Sequence, residues 1–200
     1  MILLRYFEGK RSGTFVDVGA HHPYRFSNTY LFYRRGWRGI NIDAMPGSMK
    51  AFRRHRPEDI NIESAVGLEA SVATYFMFNE PALNTFDENL ATERQHPPWQ
   101  MIGTEQLRVK PLATILAEAI PSTNEIDFLS IDVEGKDFDV LRSNDWDRFR
   151  PTIVLVEVHA REIDSAAATP SITFLKSLQY KMIAKTFNTV FMGNMSALPR

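Results

Sequence analysis

The chain of 200 residues has no cysteine, no long apolar run and almost no charge imbalance. Without cysteine there are no disulfides, thiolate metal centres, iron–sulfur clusters or thiol nucleophiles, so any chemistry uses oxygen, nitrogen or a bound cofactor. The charge count of 23 basic and 24 acidic residues, net -1, lacks the basic footprint of a dedicated nucleic-acid binder. The apolar stretch at the start, Ile2 to Leu4, is cut at Arg5, far short of a signal-peptide core or a membrane span, and a cytoplasmic protein with no membrane partner is expected. Nothing repeats and no segment is of low complexity. What is present, 44% hydrophobic and 24% charged side chains, suits one globular domain over residues 1–200.

Apolar runs bounded by turn residues alternate with helical patterns, the signature of βαβ units and a mostly parallel sheet. Thr14 to Val18 reads as a first buried strand ending at Gly19, and Ser27 or Asn28 can cap the helix that follows. Gly39 to Asp43 is a second strand, trailed by a basic helix from Pro46 to Arg56, read as a solvated face. A third strand is expected over Ile60 to Val66, and an extra one over Ser71 to Phe78, pairing at the sheet edge. Residues 81–103 lose periodicity and read as a long loop over a site. Strands over Ile126 to Asp132 and Pro151 to Val158 follow, each trailed by a helix. Tyr180 to Thr186 and Val190 to Met192 are too close for a parallel crossover and require an antiparallel hairpin. The fold class is therefore α/β, a three-layer sandwich with a terminal hairpin.

In such sheets ligands bind beyond the carboxyl ends of the strands. Four strands end in acids: Asp17, Asp43, Asp132 and Glu157. Asp43 lies 24 residues after Gly19, near the ~20-residue spacing from a glycine turn to a ribose-binding acid. The G-x-G-x-x-G pattern for a pyrophosphate is absent, since His21, His22 and Pro23 follow Gly19 and Ala20, which favours an adenosyl ligand without a diphosphate, such as S-adenosylmethionine. An ordinary turn glycine with a surface Asp is the bland alternative. Asp132 with Glu134, and Glu157 with His159, form two pairs on one strand face if both strands extend that far. Such a group can supply a general base for a hydroxyl nucleophile. Asp132, Glu157 and His159 could also hold a divalent cation, which the sequence allows but does not require. The structural alternative has Glu134 and Glu157 capping helix amides or pairing with Lys136 and Arg161. Ser130 lacks a G-x-S-x-G elbow, which disfavours a serine hydrolase.

Taken together, the blocks Phe15-Val16-Asp17-Val18-Gly19-Ala20, Ser27-Asn28-Thr29, Arg35-Gly36-Trp37-Arg38-Gly39, Ile131-Asp132-Val133-Glu134-Gly135 and Val154-Leu155-Val156-Glu157 resemble the FkbM family of S-adenosylmethionine-dependent methyltransferases. The resemblance covers about residues 14 to 160. It implies the class I methyltransferase fold, Rossmann-like, with a seven-stranded sheet parallel except for a reversed last strand. Carried over by position, Asp17, Gly19 and Ala20 form the cofactor's first loop with His21 beside it. Asp43, followed by Ala44, binds the ribose, and Ser64 and Ala65 lie by the adenine. Asp132 and Glu134 sit beside the methionine and the acceptor. The family implies methylation of a hydroxyl on a sugar, glycan or natural product. A catalytically silent adenosyl-binding scaffold and an NAD-dependent oxidoreductase are the rival readings.

Overall fold

Two parallel layers of side chains, sorted by the two-residue period of the strands, organise the molecule around one sheet. A computed structural model describes residues 2–120 and 125–197. Its main sheet is built from β1 (Thr14–Val18), β2 (Arg38–Asp43), β3 (Ile60–Glu63), β7 (Phe128–Ile131), β8 (Ile153–Glu157), β9 (Tyr180–Lys185) and β10 (Thr189–Asn194). The order is β3-β2-β1-β7-β8-β10-β9, parallel except for β10, which runs antiparallel to both β8 and β9. This is the seven-stranded class I arrangement with its terminal hairpin.

Odd and even residues of each strand face different cores. Val16, Ile40, Leu129 and Val154 join an aliphatic layer closed by α5 (Leu112–Ala119), α6 (Asp137–Arg142) and the helix Pro170–Ser177. On α5 the buried residues Leu112, Ile115 and Leu116 fall at i, i+3 and i+4, the stripe a helix needs to lie on a sheet. Phe15, Phe128, Ile153 and Leu155 point the other way, into an aromatic layer with Phe7, Phe32 and Trp37. That layer is covered by α1 (Ile2–Tyr6) and α2 (Tyr30–Tyr33). Gly39 belongs to it by position, because a Cβ there would stand 2.3 Å from the Phe15 carbonyl oxygen and 2.2 Å from its ring. The same period carries Asp17, Asn41, Ser130 and Glu157 onto the aromatic side at its carboxyl end. Apolar packing thus ends in a polar rim.

Three expectations are corrected here. The run Ile60 to Val66 breaks at Ser64: β3 stays in the main sheet, and β4 (Ala65–Val66) leaves it. The extra strand, β5 (Ser71–Phe78), does not extend the main sheet but lies in a second sheet of order β4-β6-β5. Its partner β6 (Met101–Lys110) begins inside the segment read as a loop, which also contains a 3-10 turn (Pro81–Leu83) and α4 (Glu88–Arg94). The period-2 signal of β6 was masked because its polar side chains lie on both faces and six of its ten residues are exposed. Asp87 caps α4 by accepting from the Asn89 and Leu90 amides, a turn-level signal visible in the sequence.

Candidate active site

The strand order reverses between β1 and β7, so the turns after these strands stand side by side at the carboxyl edge. Gly19 makes this possible. It has φ +81°, and a Cβ on it would lie 1.7 Å from the Asp132 carbonyl oxygen. Its amide and that of Ala20 both donate to the Ile42 carbonyl, tying the turn to β2 as well.

Asp17, at the floor, is almost wholly buried and fully engaged. Thr29 Oγ1 donates to its Oδ2 at 2.7 Å, and the Ser130 hydroxyl also bonds its carboxylate. Burial raises its pKa, opposed by these bonds and by the charge of Arg56. Arg56 itself has no exposed surface; its Nη1 donates to Thr29 Oγ1 at 3.0 Å and its Nε to Asp59 Oδ2 at 2.8 Å. The solvated basic helix face expected there is thus wrong for this residue. Met49 and Phe52 of α3 (Met49–His55) bury that side of the helix and draw Arg56, just past its end, inside. The Ser-Asn-Thr block gains a physical account: Ser27 Oγ accepts from the Tyr30 amide at the start of α2, Asn28 donates to Ser130, and Thr29 bridges Arg56 to Asp17.

Asp43 sits at the end of β2 with both carboxylate oxygens in use, Oδ2 accepting the His21 amide at 2.8 Å and Oδ1 the Met45 amide at 2.9 Å. Burial raises its pKa, and these amides pull it back. Each oxygen keeps a second lone pair, so the carboxylate is oriented yet still able to accept hydroxyls. His21 adopts a left-handed φ of 53°, and its Nε2 is buried without a hydrogen-bond partner among the described residues.

The β7 and β8 ends differ from this. β7 stops at Ile131, so Asp132 and Glu134 share a site through a turn, with Glu134 at φ 55°, and not through strand alternation. Asp137 shapes that turn by accepting the Val133 and Gly135 amides. Glu134 pairs with Arg94 of α4, not with Lys136, which instead faces Asp87 at 3.9 Å. The sequence offers Arg94 only as one of several polar residues in the aperiodic segment, without a diagnostic arrangement; the fold singles it out by bringing it onto Glu134. Asp132 Oδ1 and Glu157 Oε2 are buried and have no hydrogen-bond partner among the described residues. Burial first, then the neighbouring carboxylates, push Asp132 up to about 7 and Glu157 up to about 8, with Arg94 opposing both. Asp137 is raised to about 6, chiefly by burial.

A cavity of about 270 Å³ joins these turns. Asp17, Gly19, Ala20, His21, Asp43, Ala44, Ser64, Asp132 and Glu134 all line it, roofed by Tyr75 of β5 and by Asn84 and Phe86. Burial holds the Tyr75 hydroxyl in its protonated form, and its ring packs against Phe86 at 4.7 Å. Ala65 lies outside this lining, in a neighbouring cleft against β6, because the chain crosses to the second sheet at that residue. Glu157 and His159 flank the cavity on the β8 side, beyond its lining. His159 is largely exposed, with Nε2 3.3 Å from Glu157 Oε2. The set of close metal-type ligands is Glu134, Glu157 and His159, so Glu134 stands where Asp132 was expected. Among the described residues no helix is long and apolar enough to cross a membrane.

Comparisons with known proteins bear on this arrangement. Among curated proteins none matches the chain in sequence. The crystal structure of methyltransferase FkbM from Methylobacillus flagellatus KT is similar to it over 92% of the chain, with a TM-score of 0.56 and 13% identity. That alignment covers 44% of the other protein, so the chain spans less than half its length. The precorrin-6y C5,15-methyltransferase of Geobacter metallireducens GS-15 aligns over 96% of the chain and 83% of its own, with a TM-score of 0.45 and 10% identity. The model of the methyltransferase FkbM domain matches residues 17–182, from the buried acid of β1 into β9. The chain therefore belongs to the FkbM methyltransferase domain family.

Proposed function

We propose that the protein transfers a methyl group from S-adenosylmethionine to a hydroxyl oxygen of a sugar, glycan or natural product. The observation that carries this reading is one cavity with an oriented carboxylate, Asp43, at one end and an unsatisfied carboxylate, Asp132, at the other. The family membership supports the cofactor class. The cofactor, when bound, supplies a methyl carbon on a cationic sulfur; bond formation to the acceptor oxygen leaves the carbon–sulfur electron pair on a neutral thioether.

The residues fit such a ligand. Asp43 would take the ribose hydroxyls, and Ser64, Val66 and Tyr75 would wall the adenine at that end. Orphaned His21 Nε2 offers a further polar contact from the same rim. At the other end Asp132 and Glu134 set a negative field where the cationic sulfur and amino group would lie. Asp132, raised to about 7 by burial and neighbouring acids, is matched to receiving the acceptor proton near neutral pH. Most of the acceleration comes from holding the two reactants in line, which the rigid turns at Gly19 and Gly135 favour.

Calorimetric titration with S-adenosylmethionine tests the reading, with NAD for comparison. Micromolar binding, lost in Asp43→Ala and absent for NAD, is expected. Asp132→Asn is expected to bind the cofactor as before and to lose turnover against hydroxyl acceptors. NAD binding in preference, or full turnover in Asp132→Asn, would sink it. S-adenosylmethionine binding without turnover of any hydroxyl acceptor would point to the silent adenosyl-binding scaffold, and a folded protein that ignores both ligands would overturn the cofactor assignment.

A further inference from the structure

Three ligand-type atoms meet at the β8 side of the cofactor cavity: one carboxylate oxygen of Glu134, which lines it, one of Glu157 and a ring nitrogen of His159, both beyond its lining. They lie within 4.8 Å of one another. They come from two separate strand ends, each fixed by its own backbone. The Glu134 carbonyl accepts from Thr85 Oγ1 at 2.7 Å, and its Oε2 pairs with Arg94. Glu157 is registered on Thr189 of the hairpin, and the next amide, Val158, donates to the Asn188 carbonyl at 2.7 Å. The Glu157 side chain is 12% exposed, and its Oε2 has no hydrogen-bond partner among the described residues.

The spacing suits a hard cation. With metal–ligand bonds of about 2.3 Å, cis ligands stand roughly 3.3 Å apart and trans ligands roughly 4.6 Å. His159 Nε2 and Glu157 Oε2 are 3.3 Å apart, the separation of a cis pair. Two carboxylate oxygens and an imidazole are a mixed set that manganese and zinc accept, and three protein ligands leave positions open on the ion. The charge balance points the same way, since Asp132, Glu134, Asp137 and Glu157 crowd one edge with Arg94 as the opposing charge.

We propose that Glu134, Glu157 and His159 bind a divalent cation that takes the acceptor hydroxyl as a further ligand. The cation site stands on these residues alone; its role for the acceptor rests on the methyl-transfer reading. An oxygen on such an ion gives up its proton more readily, so the O–H bond breaks toward the Asp132 carboxylate as the new carbon–oxygen bond forms and the sulfur takes the departing pair.

The test titrates Mn²⁺ alone into the whole protein at neutral pH, followed by calorimetry and by electron paramagnetic resonance of free Mn²⁺. One saturable site is expected. His159→Ala, at an exposed position that spares the fold, should weaken it at least about tenfold, and Glu157→Gln should do the same. Absence of saturable binding at millimolar Mn²⁺, or binding unchanged in both variants, overturns the site. S-adenosylmethionine titrated into the same samples reports separately. Cofactor binding without Mn²⁺ binding removes the cation site and leaves methyl transfer standing, whereas Mn²⁺ binding without cofactor binding keeps the site and removes its assigned role.

Discussion

Acids at the strand ends of one sheet divide into two kinds. Around β1 and β2, Asp17 and Asp59 are as buried as any apolar residue, yet Thr29, Ser130, Asn41, the Gly39 amide and Arg56 satisfy them. Around β7 and β8, Asp132 and Glu157 are less buried but keep unpartnered oxygens and mutually raised pKa values. A buried carboxylate with a full set of donors holds the structure together, while one left short of donors marks a place where a ligand completes the set. Residue type is the same in the two cases, and Asp17 stands near a strand's carboxyl end as Asp132 and Glu157 do. Only the partners separate scaffold from site.

Removing the cation of the first group gives the largest effect. Arg56→Met leaves Asp59 without its charged partner and Thr29 without a donor, and a loss of about 3–5 kcal/mol is expected in urea unfolding. A loss under about 1 kcal/mol would erase the contrast. Next comes the joint between the two groups. Gly19→Ala forces a left-handed alanine and drives its Cβ into the Asp132 carbonyl, so a cost of about 3 kcal/mol is expected, with cofactor binding lost in the same protein.

The second group predicts a smaller change of opposite sign. Asp132 and Glu157 keep their protons in the folded state at pH values where the unfolded chain has released them. The folded state therefore binds more protons between about pH 4 and pH 8, and stability falls as pH rises through that window. Glu157→Gln removes one of these groups. Its Tm should rise by about 3 °C at a pH of about 8.5, corresponding to on the order of 1 kcal/mol after allowance for solvent screening, and should change little at a pH of about 5. A Tm that drops equally at both pH values would show that Glu157 is as structural as Asp59.

The main sheet was legible because its strands are short apolar runs bounded by glycine, proline and acids, and because the Tyr180–Asn194 link admits no crossover. The strand-end acids and the Asp17, Gly19 and Asp43 spacing were legible for the same reason: position along a strand fixes the edge at which a residue emerges. The second sheet was not. Residues 60–66 read as one strand in sequence, and the break at Ser64 depends on β6 offering edge hydrogen bonds that β3 does not need. β6 itself is mostly exposed, so it carries little hydrophobic signal.

Local periodicity and residue types at strand ends were enough for the main sheet and its polar rim, and the resemblance of whole blocks, matched over residues 17–182, was enough for the family. Tertiary structure alone decided which charges are silent and which are exposed to chemistry. Arg56 looks like its neighbours Arg53 and Arg54 in the chain, but it is wholly buried where they are exposed. Arg94, Glu134 and Glu157 meet from three distant segments. Burial, desolvation and hydrogen-bond satisfaction are properties of surroundings, and no residue carries its surroundings in its own letter.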